Sequence, residues 1–288
     1  MTATYLDRLA VRSAAVGSVL CVGLDPDPAA LPKGVGTGLA GIERFATLIV
    51  EASAPHAAAF KPNLAFYEAH GSSGLAALER IRACIPPSIP VVMDAKRGDI
   101  GSTAARHAIA LFDVLGADAV TVSPYPGGEA LAPLLERGDR FAYVLCRTSN
   151  PGAGELQNLV VAADPADGAP AEPLHLRVAR RVATWGPGGT VGLVVGATAP
   201  SEMAAIRAIA PRLAFLVPGL GAQGGDLEAV LESGPATASP AGAGTGRGLL
   251  VNVSRGIADA AREAGDRDLT EAIAGAARDW AFRLPVLP

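Results

Sequence analysis

Eight short, mainly apolar runs recur along the chain, each followed by a polar or glycine-containing turn and then by a helical pattern. Several runs are almost wholly apolar, as expected of strands covered on both faces, and their alternation with helices indicates parallel pairing. Eight such units in 288 residues predict a (β/α)8 TIM barrel, with an open doubly wound sheet as the alternative that the pattern leaves. The predicted strands span 18–25, 58–63, 90–97, 119–124, 143–149, 190–197, 215–219 and 249–254.

Helical patterns lie between these strands, and two segments interrupt the alternation. Residues 150–172 begin with NPGAG and can cover a site, because function is often carried by loops. Residues 233–248 are rich in Gly, Ala and Pro, a composition that predicts a flexible insertion. No stretch marks a domain boundary, so we expect one domain over 1–288. The predicted helices span 42–53, 74–85, 102–115, 173–185, 201–210 and 226–233.

Composition and charge argue against some classes of function. Half of the residues are hydrophobic and 18% are charged, which supplies a core and argues against disorder. A net charge of -4 gives no electrostatic footprint for nucleic acid or an anionic membrane, so an anionic ligand must be held by local groups. The three cysteines are far apart, unlike a disulfide framework or a CxxC metal site, which predicts a cytoplasmic protein. The first residues lack a long apolar run, so we expect neither a signal peptide nor a membrane span.

The third predicted strand ends in a dense group of charges, in the stretch VVMDAKRGDIGST at 91–103. Residues two apart in a strand share a face, so Asp94 and Lys96 should project the same way from its carboxyl end, where barrel enzymes build active sites. A carboxylate and an ammonium held side by side keep each other ionised. Asp99 lies beyond Gly98 and should point elsewhere, towards a neighbouring subunit or as a cap of the next helix.

Two more charged residues end neighbouring strands. Asp25 follows the first strand and Lys61 ends the second. With Asp94 and Lys96 they would form a group of four side chains of alternating sign at one rim of the barrel. A structural ion pair is the ordinary explanation of an isolated Asp-x-Lys pattern, but the convergence of three strand ends favours a functional site.

The last two predicted strands end in residues suited to a phosphate group. In VPGLGAQGGDLEAV at 217–230, four glycines precede an acidic helix start, so backbone N–H groups and the positive end of the helix can hold an anion. Arg255 follows the eighth strand, and barrels often bind phosphate at the loops after strands seven and eight. Taken separately, the glycines can make a tight turn and Arg255 can pair with Asp259. Their combination favours a phosphate site.

These residues together resemble the orotidine 5'-phosphate decarboxylase family, and the resemblance covers nearly the whole chain. The family pattern D-x-K-x-x-D-I-x-x-T occurs at 94–103 and the Pro-Gly-x-Gly-x-Gln loop at 218–223. The stretch DAVTVSPYPGGEAL and the chain length are most similar to the longer bacterial branch, type 2. The segment 239–248, before the eighth strand, is longer than we expect of a compact member of the family. We expect it to lie near the phosphate loop. The matching residues are Asp25, Lys61, Asp94, Lys96, Asp99, Ile100, Thr103, Ser149, Pro218, Gln223 and Arg255.

The resemblance implies decarboxylation of orotidine 5'-phosphate to UMP and CO2, the last step of de novo pyrimidine synthesis, without a metal or a cofactor. It implies that Lys96 stabilises the carbanion at C6 and donates a proton to it, while Asp94 lies beside the substrate carboxylate. Lys61 would bridge the carboxylates and a ribose hydroxyl. Asp99 would act across the interface of a homodimer, holding Lys96 and the ribose.

The remaining matches are implied to bind the substrate. Phosphate held far from the reacting carbon can supply energy for closure of the site. The implied contacts are those of Asp25 with the ribose, of Ser149 with the pyrimidine edge, and of Pro218, Gln223 and Arg255 at the phosphate end, with Ile100 and Thr103 contributed by the partner subunit.

Two other functions fit parts of the pattern. A 3-keto-L-gulonate 6-phosphate decarboxylase or a hexulose phosphate synthase is similar around Asp94, Lys96 and Asp99. Those enzymes use Mg2+ and an acidic residue where this chain has Lys61, whose charge would repel a metal ion. A non-catalytic nucleotide-binding barrel would need the phosphate loop but not the charged group. Because the charged group is complete, the sequence favours the decarboxylase.

Overall fold

The computed structural model contains one sheet of eight parallel strands that closes into a barrel. Backbone bridges from Phe60 to Val91 and from Asn63 to Asp94 join its two outermost strands. The strands are β1 (Leu20–Leu24), β2 (Ala59–Pro62), β3 (Val92–Arg97), β4 (Ala119–Val122), β5 (Phe141–Arg147), β6 (Val160–Val161), β7 (Glu172–Pro173), β8 (Val191–Val195), β9 (Ala214–Val217) and β10 (Leu249–Val253). The sheet has the order β2-β1-β10-β9-β8-β5-β4-β3, and β6 and β7 form a separate antiparallel pair. The predicted barrel and its eight strands are confirmed. The structure describes residues 3–166, 168–221, 223–265 and 268–288.

Six of the eight barrel strands are buried at every position. Such strands lie between two apolar layers, here the filled interior of the barrel and the surrounding helices, which explains their continuous apolar sequences. The exceptions are β3 and β5, whose carboxyl-terminal residues are partly exposed. These two strand ends border the cavity described below.

Helices connect the strands, and all six predicted helices are present, although the one predicted over 102–115 is divided. Its second half is a π-helix, Ile109–Val114. The α-helices are α1 (Tyr5–Val16), α2 (Gly38–Ser53), α3 (Ala65–Glu68), α4 (Gly71–Cys84), α5 (Gly101–Ala108), α6 (Ala132–Leu135), α7 (Gly154–Gln157), α8 (Leu174–Val182), α9 (Pro200–Ile209), α10 (Leu227–Ser233), α11 (Arg255–Arg262) and α12 (Leu269–Arg283). Short 3-10 helices span Pro28–Ala30, Pro151–Ala153 and Ala241–Ala243. None of the helices in the described ranges has the length and apolarity needed to cross a membrane.

Helix α1, which lies outside the predicted helices, covers the amino-terminal end of the barrel. A capping box starts it, in which the Asp7 N–H donates to Thr4 Oγ1 at 3.2 Å and the Thr4 N–H donates to Asp7 Oδ2 at 3.1 Å. Tyr5 is fully buried, with its ring 5.0 Å from that of Phe141 and its hydroxyl 3.2 Å from that of Tyr143. Within the described part of the chain, α1 thus fills the amino-terminal end of the barrel and leaves the carboxyl ends of the strands for a ligand.

The Gly/Ala/Pro-rich segment 233–248 connects α10 to the start of β10. Ala236 and Ala241 are buried in the same apolar cluster as α1. The Ala236 N–H donates to the carbonyl of Arg247 at 3.0 Å, and the Thr237 N–H donates to Pro211 at 2.9 Å. The segment therefore lies at the amino-terminal end of the barrel, and the expectation that it lies near the phosphate loop is wrong. The flexibility of residues 233–248 stays a prediction. The single domain over 1–288 also stays a prediction.

Candidate active site

A cavity of about 710 Å³ opens at the carboxyl ends of the barrel strands. Charged side chains from the ends of β1, β2 and β3 form one part of its wall, and the loops after β9 and β10 form another. The predicted site residues that line it are Asp25, Lys61, Asp94, Lys96, Ser149, Pro218, Gln223 and Arg255. The structure thus brings together both groups of residues that the sequence identified, the charged strand ends and the phosphate end.

Asp94 lies between two lysine ammonium groups. Its Oδ2 is 3.0 Å from Lys61 Nζ, and its Oδ1 is 2.5 Å from Lys96 Nζ. The side chains of Lys61 and Asp94 are 5% and 12% exposed, whereas that of Lys96 is 50% exposed. Lys96 is therefore the residue of this trio that is most accessible to a ligand. Lys61 is buried and pairs with the other oxygen of the Asp94 carboxylate.

The trio keeps its charges despite burial. Burial by itself would lower the pKa of Lys61, but the carboxylates of Asp94 and Asp25 outweigh it and raise this pKa above its usual value. Burial also opposes ionisation of Asp94, yet Lys61 and Lys96 hold the pKa of this carboxyl well below its usual range. Lys61 and Asp94 are therefore both ionised throughout the neutral pH range.

The closure of the barrel sets the spacing of these charges. The Leu64 N–H donates to the carbonyl of Asp94 at 3.2 Å, and the Asn63 N–H donates to that of Leu24 at 3.4 Å. These bonds join the carboxyl ends of β1, β2 and β3 directly beside Lys61. The charged side chains are thus fixed by backbone bonds of the fold itself, which gives a preorganised arrangement.

Strand β3 is irregular in the stretch that contains Asp94 and Lys96. Met93 pairs with Val120 while Arg97 pairs with Val122, so β3 has two more residues than β4 over this stretch. Lys96 has a φ of +48°, in the left-handed region, which costs about 1–3 kcal/mol for a residue other than glycine. Asp94 and Lys96 meet, as predicted, but through a bulge and not through the regular alternation of a strand. Strain of this kind persists where the surrounding structure enforces it, which is typical of functional sites.

Among the polar residues of the cavity wall that are absent from the predicted set, two lie within barrel strands. Thr121 on β4 is 2% exposed and Asn252 on β10 is 8% exposed, and each is the single polar residue in an otherwise apolar strand. An isolated polar residue inside a strand that is buried on both faces was the signal that could have identified them. Leu145, Val194 and Leu216 form an apolar part of the same wall, which suits a flat ring.

The phosphate end is built around Gly219. This residue has a φ of +95°, and a Cβ there would lie 2.6 Å from Gln223 Oε1 and 3.0 Å from Ser149 Cβ. Only glycine fits both the backbone conformation and this close approach. The tight turn therefore brings Ser149, from the loop after β5, next to Gln223 in the loop after β9.

Arg255 is the first residue of α11 and lines the cavity. Asp259 pairs with Arg262, so the alternative in which Arg255 pairs with Asp259 is wrong. The sequence also predicts that the start of α10 helps to hold an anion. In the structure Asp226 Oδ1 instead accepts the Ala229 N–H at 3.0 Å, so this helix is capped by its own side chain. The start of α11, by contrast, borders the cavity.

Three predicted site residues lie outside the cavity of this single chain. Ile100 is 65% exposed, Thr103 is exposed on α5, and Asp99 is half-buried. The Asp99 carboxylate accepts the Ile100 N–H at 2.8 Å, before α5 begins, and does not cap that helix. The expectation that Asp99 caps the next helix is therefore wrong.

A charged cavity at the carboxyl ends of the strands places this (β/α)8 barrel in the class of barrel enzymes, which assemble their active sites from the loops at this end.

The family model of the orotidine 5'-phosphate decarboxylase / HUMPS family matches residues 18–266. A Thermomicrobium roseum protein named orotidine 5'-phosphate decarboxylase is 46% identical over 98% of this chain and 96% of its own length. One of the same name from Herpetosiphon aurantiacus is 47% identical over 88% of each chain. The solved structure of Leishmania donovani OMP decarboxylase is 38% identical, has a TM-score of 0.80, and is covered over 96% of its length by 97% of this chain. The chain belongs to the orotidine 5'-phosphate decarboxylase / HUMPS family.

Proposed function

We propose that the chain decarboxylates orotidine 5'-phosphate to UMP and CO2 by electrostatic stabilisation of a carbanion at C6. This is the activity that the names of its relatives state. The observation that carries the proposal is the position of Asp94 between Lys61 and Lys96, in a cavity that also contains the phosphate end. Each element of the substrate, a carboxylated ring, a ribose and a phosphate, then has a chemically matched part of the wall.

The chemistry explains why fixed charges are needed. Loss of CO2 from C6 leaves a vinylic carbanion with little delocalisation, so the barrier without a catalyst is very high. Enzymes lower barriers by about 8–23 kcal/mol, and this reaction would need much of that range. Charged groups that are held in place before the substrate arrives can supply it, because they need no reorganisation when the carbanion forms.

Lys96 is the proton donor in this mechanism. Its side chain is half exposed and lines the cavity, so its ammonium can lie at C6, stabilise the negative charge that develops there and protonate the carbon. Asp94 lies next to it and would be close to the substrate carboxylate. Repulsion between the two carboxylates disfavours the bound substrate more than the transition state, from which the charge departs as CO2.

The other charged and polar residues orient the nucleotide. Lys61 holds Asp94 and reaches a ribose hydroxyl, and Asp25 binds the ribose. Ser149 contacts the pyrimidine edge. At the far end the loop from Pro218, with Gln223 and Arg255, holds the phosphate. Binding energy from the phosphate is then available to close the site and raise turnover.

We also propose a homodimer in which Asp99, Ile100 and Thr103 complete the site of the partner subunit. Two exposed apolar side chains support this surface, Ile100 at 65% exposure and Tyr125 at 98%. They lie on the loops after β3 and β4, and loops at the carboxyl ends of the strands surround the cavity. A cytoplasmic location stays a prediction from the cysteine pattern.

Mixing two inactive variants tests the shared site. We expect Lys96→Ala and Asp99→Ala to be nearly inactive separately. When equal amounts are unfolded together and refolded, half of the dimers should be mixed and have one native site each, so about a quarter of all sites should be active. If Asp99 acts within its own subunit, no site is complete and the activity of the mixture will not exceed that of the two parents.

Turnover after exhaustive chelation tests the proposed function against its alternatives. We expect the loss of pyrimidine absorbance on mixing with orotidine 5'-phosphate to proceed at an unchanged rate, because the buried cation of Lys61 occupies the place where a metal site would need an acidic residue. A strict requirement for Mg2+ would favour the Mg2+-dependent phosphosugar enzymes. Binding of UMP without any turnover of orotidine 5'-phosphate would instead identify a non-catalytic nucleotide-binding barrel.

A further inference from the structure

The hydroxyl of Thr121 has three hydrogen-bond partners, all of them in the irregular part of β3. Its Oγ1 accepts the N–H groups of Ala95 and Lys96, each at 3.0 Å, and donates to Asp94 Oδ1 at 2.9 Å. The residue is 2% exposed. Because both lone pairs of the hydroxyl face N–H donors, its single proton must point to the carboxylate.

These bonds form a closed ring around Lys96. The backbone N–H of Lys96 is bonded to Thr121, and Thr121 is bonded to Asp94 Oδ1. The same carboxylate oxygen accepts the ammonium of Lys96 at 2.5 Å. One hydroxyl group therefore fixes both the backbone of the lysine and the acceptor of its head group.

Lys96 needs such a restraint for two reasons. Its φ of +48° is unfavourable for a residue with a side chain, and the bulge takes its N–H out of the regular pairing with β4. Its side chain is also 50% exposed, so packing alone does not select one of its many rotamers. Thr121 satisfies the backbone at the bulge and keeps Asp94 in place as the acceptor.

We propose that Thr121 is a positioning residue for the decarboxylation, holding Lys96 in its left-handed conformation and aligning its ammonium with the reacting carbon. The inference rests on the proposed function, because it takes Lys96 as the proton donor. Thr121 acts through Lys96 and Asp94, both remote from the phosphate end. Its loss should therefore lower kcat and leave nucleotide binding nearly unchanged.

The test is Thr121→Val, which keeps the shape of the side chain and removes the hydroxyl. We expect kcat to fall on the order of 100-fold, because a misplacement of about 1 Å is enough for such a loss. The Kd for UMP should change by less than about threefold, since the phosphate contacts remain. Thr121→Ser keeps the hydroxyl and should retain kcat within about fivefold of the wild type. An unchanged kcat in Thr121→Val, or equal losses in the Val and Ser variants, would overturn the assignment.

Thr190→Val is the matched control. Thr190 is also 2% exposed, but its hydroxyl has no hydrogen-bond partner within the described part of the chain. This control should keep the wild-type kcat, and a loss equal to that of Thr121→Val would overturn the inference. If Thr121→Val does not fold, the comparison of Thr121→Ala with Thr121→Ser gives the same test. A wild type that fails to decarboxylate refutes the proposed function, whereas an active wild type with an equally active Thr121→Val refutes only the role of Thr121.

Discussion

Replacing Lys96 with alanine is expected to lower turnover by a factor of at least about 10,000, because the variant loses both the proton donor and the charge that stabilises the carbanion. Rapid mixing with saturating orotidine 5'-phosphate measures the loss. The Kd for UMP, measured by calorimetry, should stay within about tenfold of the wild type, because the phosphate end is far from Lys96. A large loss of turnover with little loss of binding is the signature of an interaction made mainly in the transition state.

The chain offers a control for this substitution. It has three lysines, and Lys33, the one that does not line the cavity, is exposed. Lys33→Ala should leave both turnover and UMP binding unchanged. Near-normal turnover in Lys96→Ala would exclude the assigned proton donor.

The sequence was sufficient to predict the fold, the charged strand ends and the phosphate end of the cavity. The carboxyl ends of parallel strands meet at one end of a barrel, so Asp25, Lys61 and Asp94 could be placed together from their positions at strand ends. The phosphate end could be predicted for the same reason, since Gly219 and Arg255 follow neighbouring strands. Helix α1 also had a local signal in its capping box, but its role as a plug depends on contacts with distant strands.

The details that were missed depend on pairing between distant residues. The left-handed backbone of Lys96 results from the register of β3 against β4, which no local pattern states. Thr121 belongs to the site only because the bulge faces it. Residues 239–248 were misplaced because closeness in sequence to the phosphate loop is not closeness in space. Helix α10, seven residues long, lies between the two and carries the chain about 10 Å towards the other end of the barrel.

Replacing Asp94 with alanine is expected to lower the free energy of unfolding by about 3–5 kcal/mol, because it leaves the Lys61 ammonium buried without its carboxylate partner. Lys61 is 4% exposed and lies 3.0 Å from Asp94. Turnover should fall at least about 1,000-fold, since Lys96 also loses its acceptor. Urea unfolding at neutral pH measures the stability. Glu43→Ala, which removes one partner of the exposed pair with Arg80, should lose much less, and an equal loss in the two variants would contradict the expected cost of the unpaired Lys61.

The double variant Lys61→Met/Asp94→Ala tests most directly the central claim that fixed charges, and not packing, drive the reaction. Replacing both members of a buried ion pair leaves no unpaired buried charge, so the double variant should recover most of the stability that Asp94→Ala alone loses. Its kcat should nevertheless stay at least about 1,000-fold below the wild-type value, because Asp94 no longer acts on the substrate carboxylate and Lys96 has lost the acceptor that fixes its ammonium. A double variant that folds as well as the wild type and decarboxylates orotidine 5'-phosphate within about tenfold of its rate would contradict the electrostatic account.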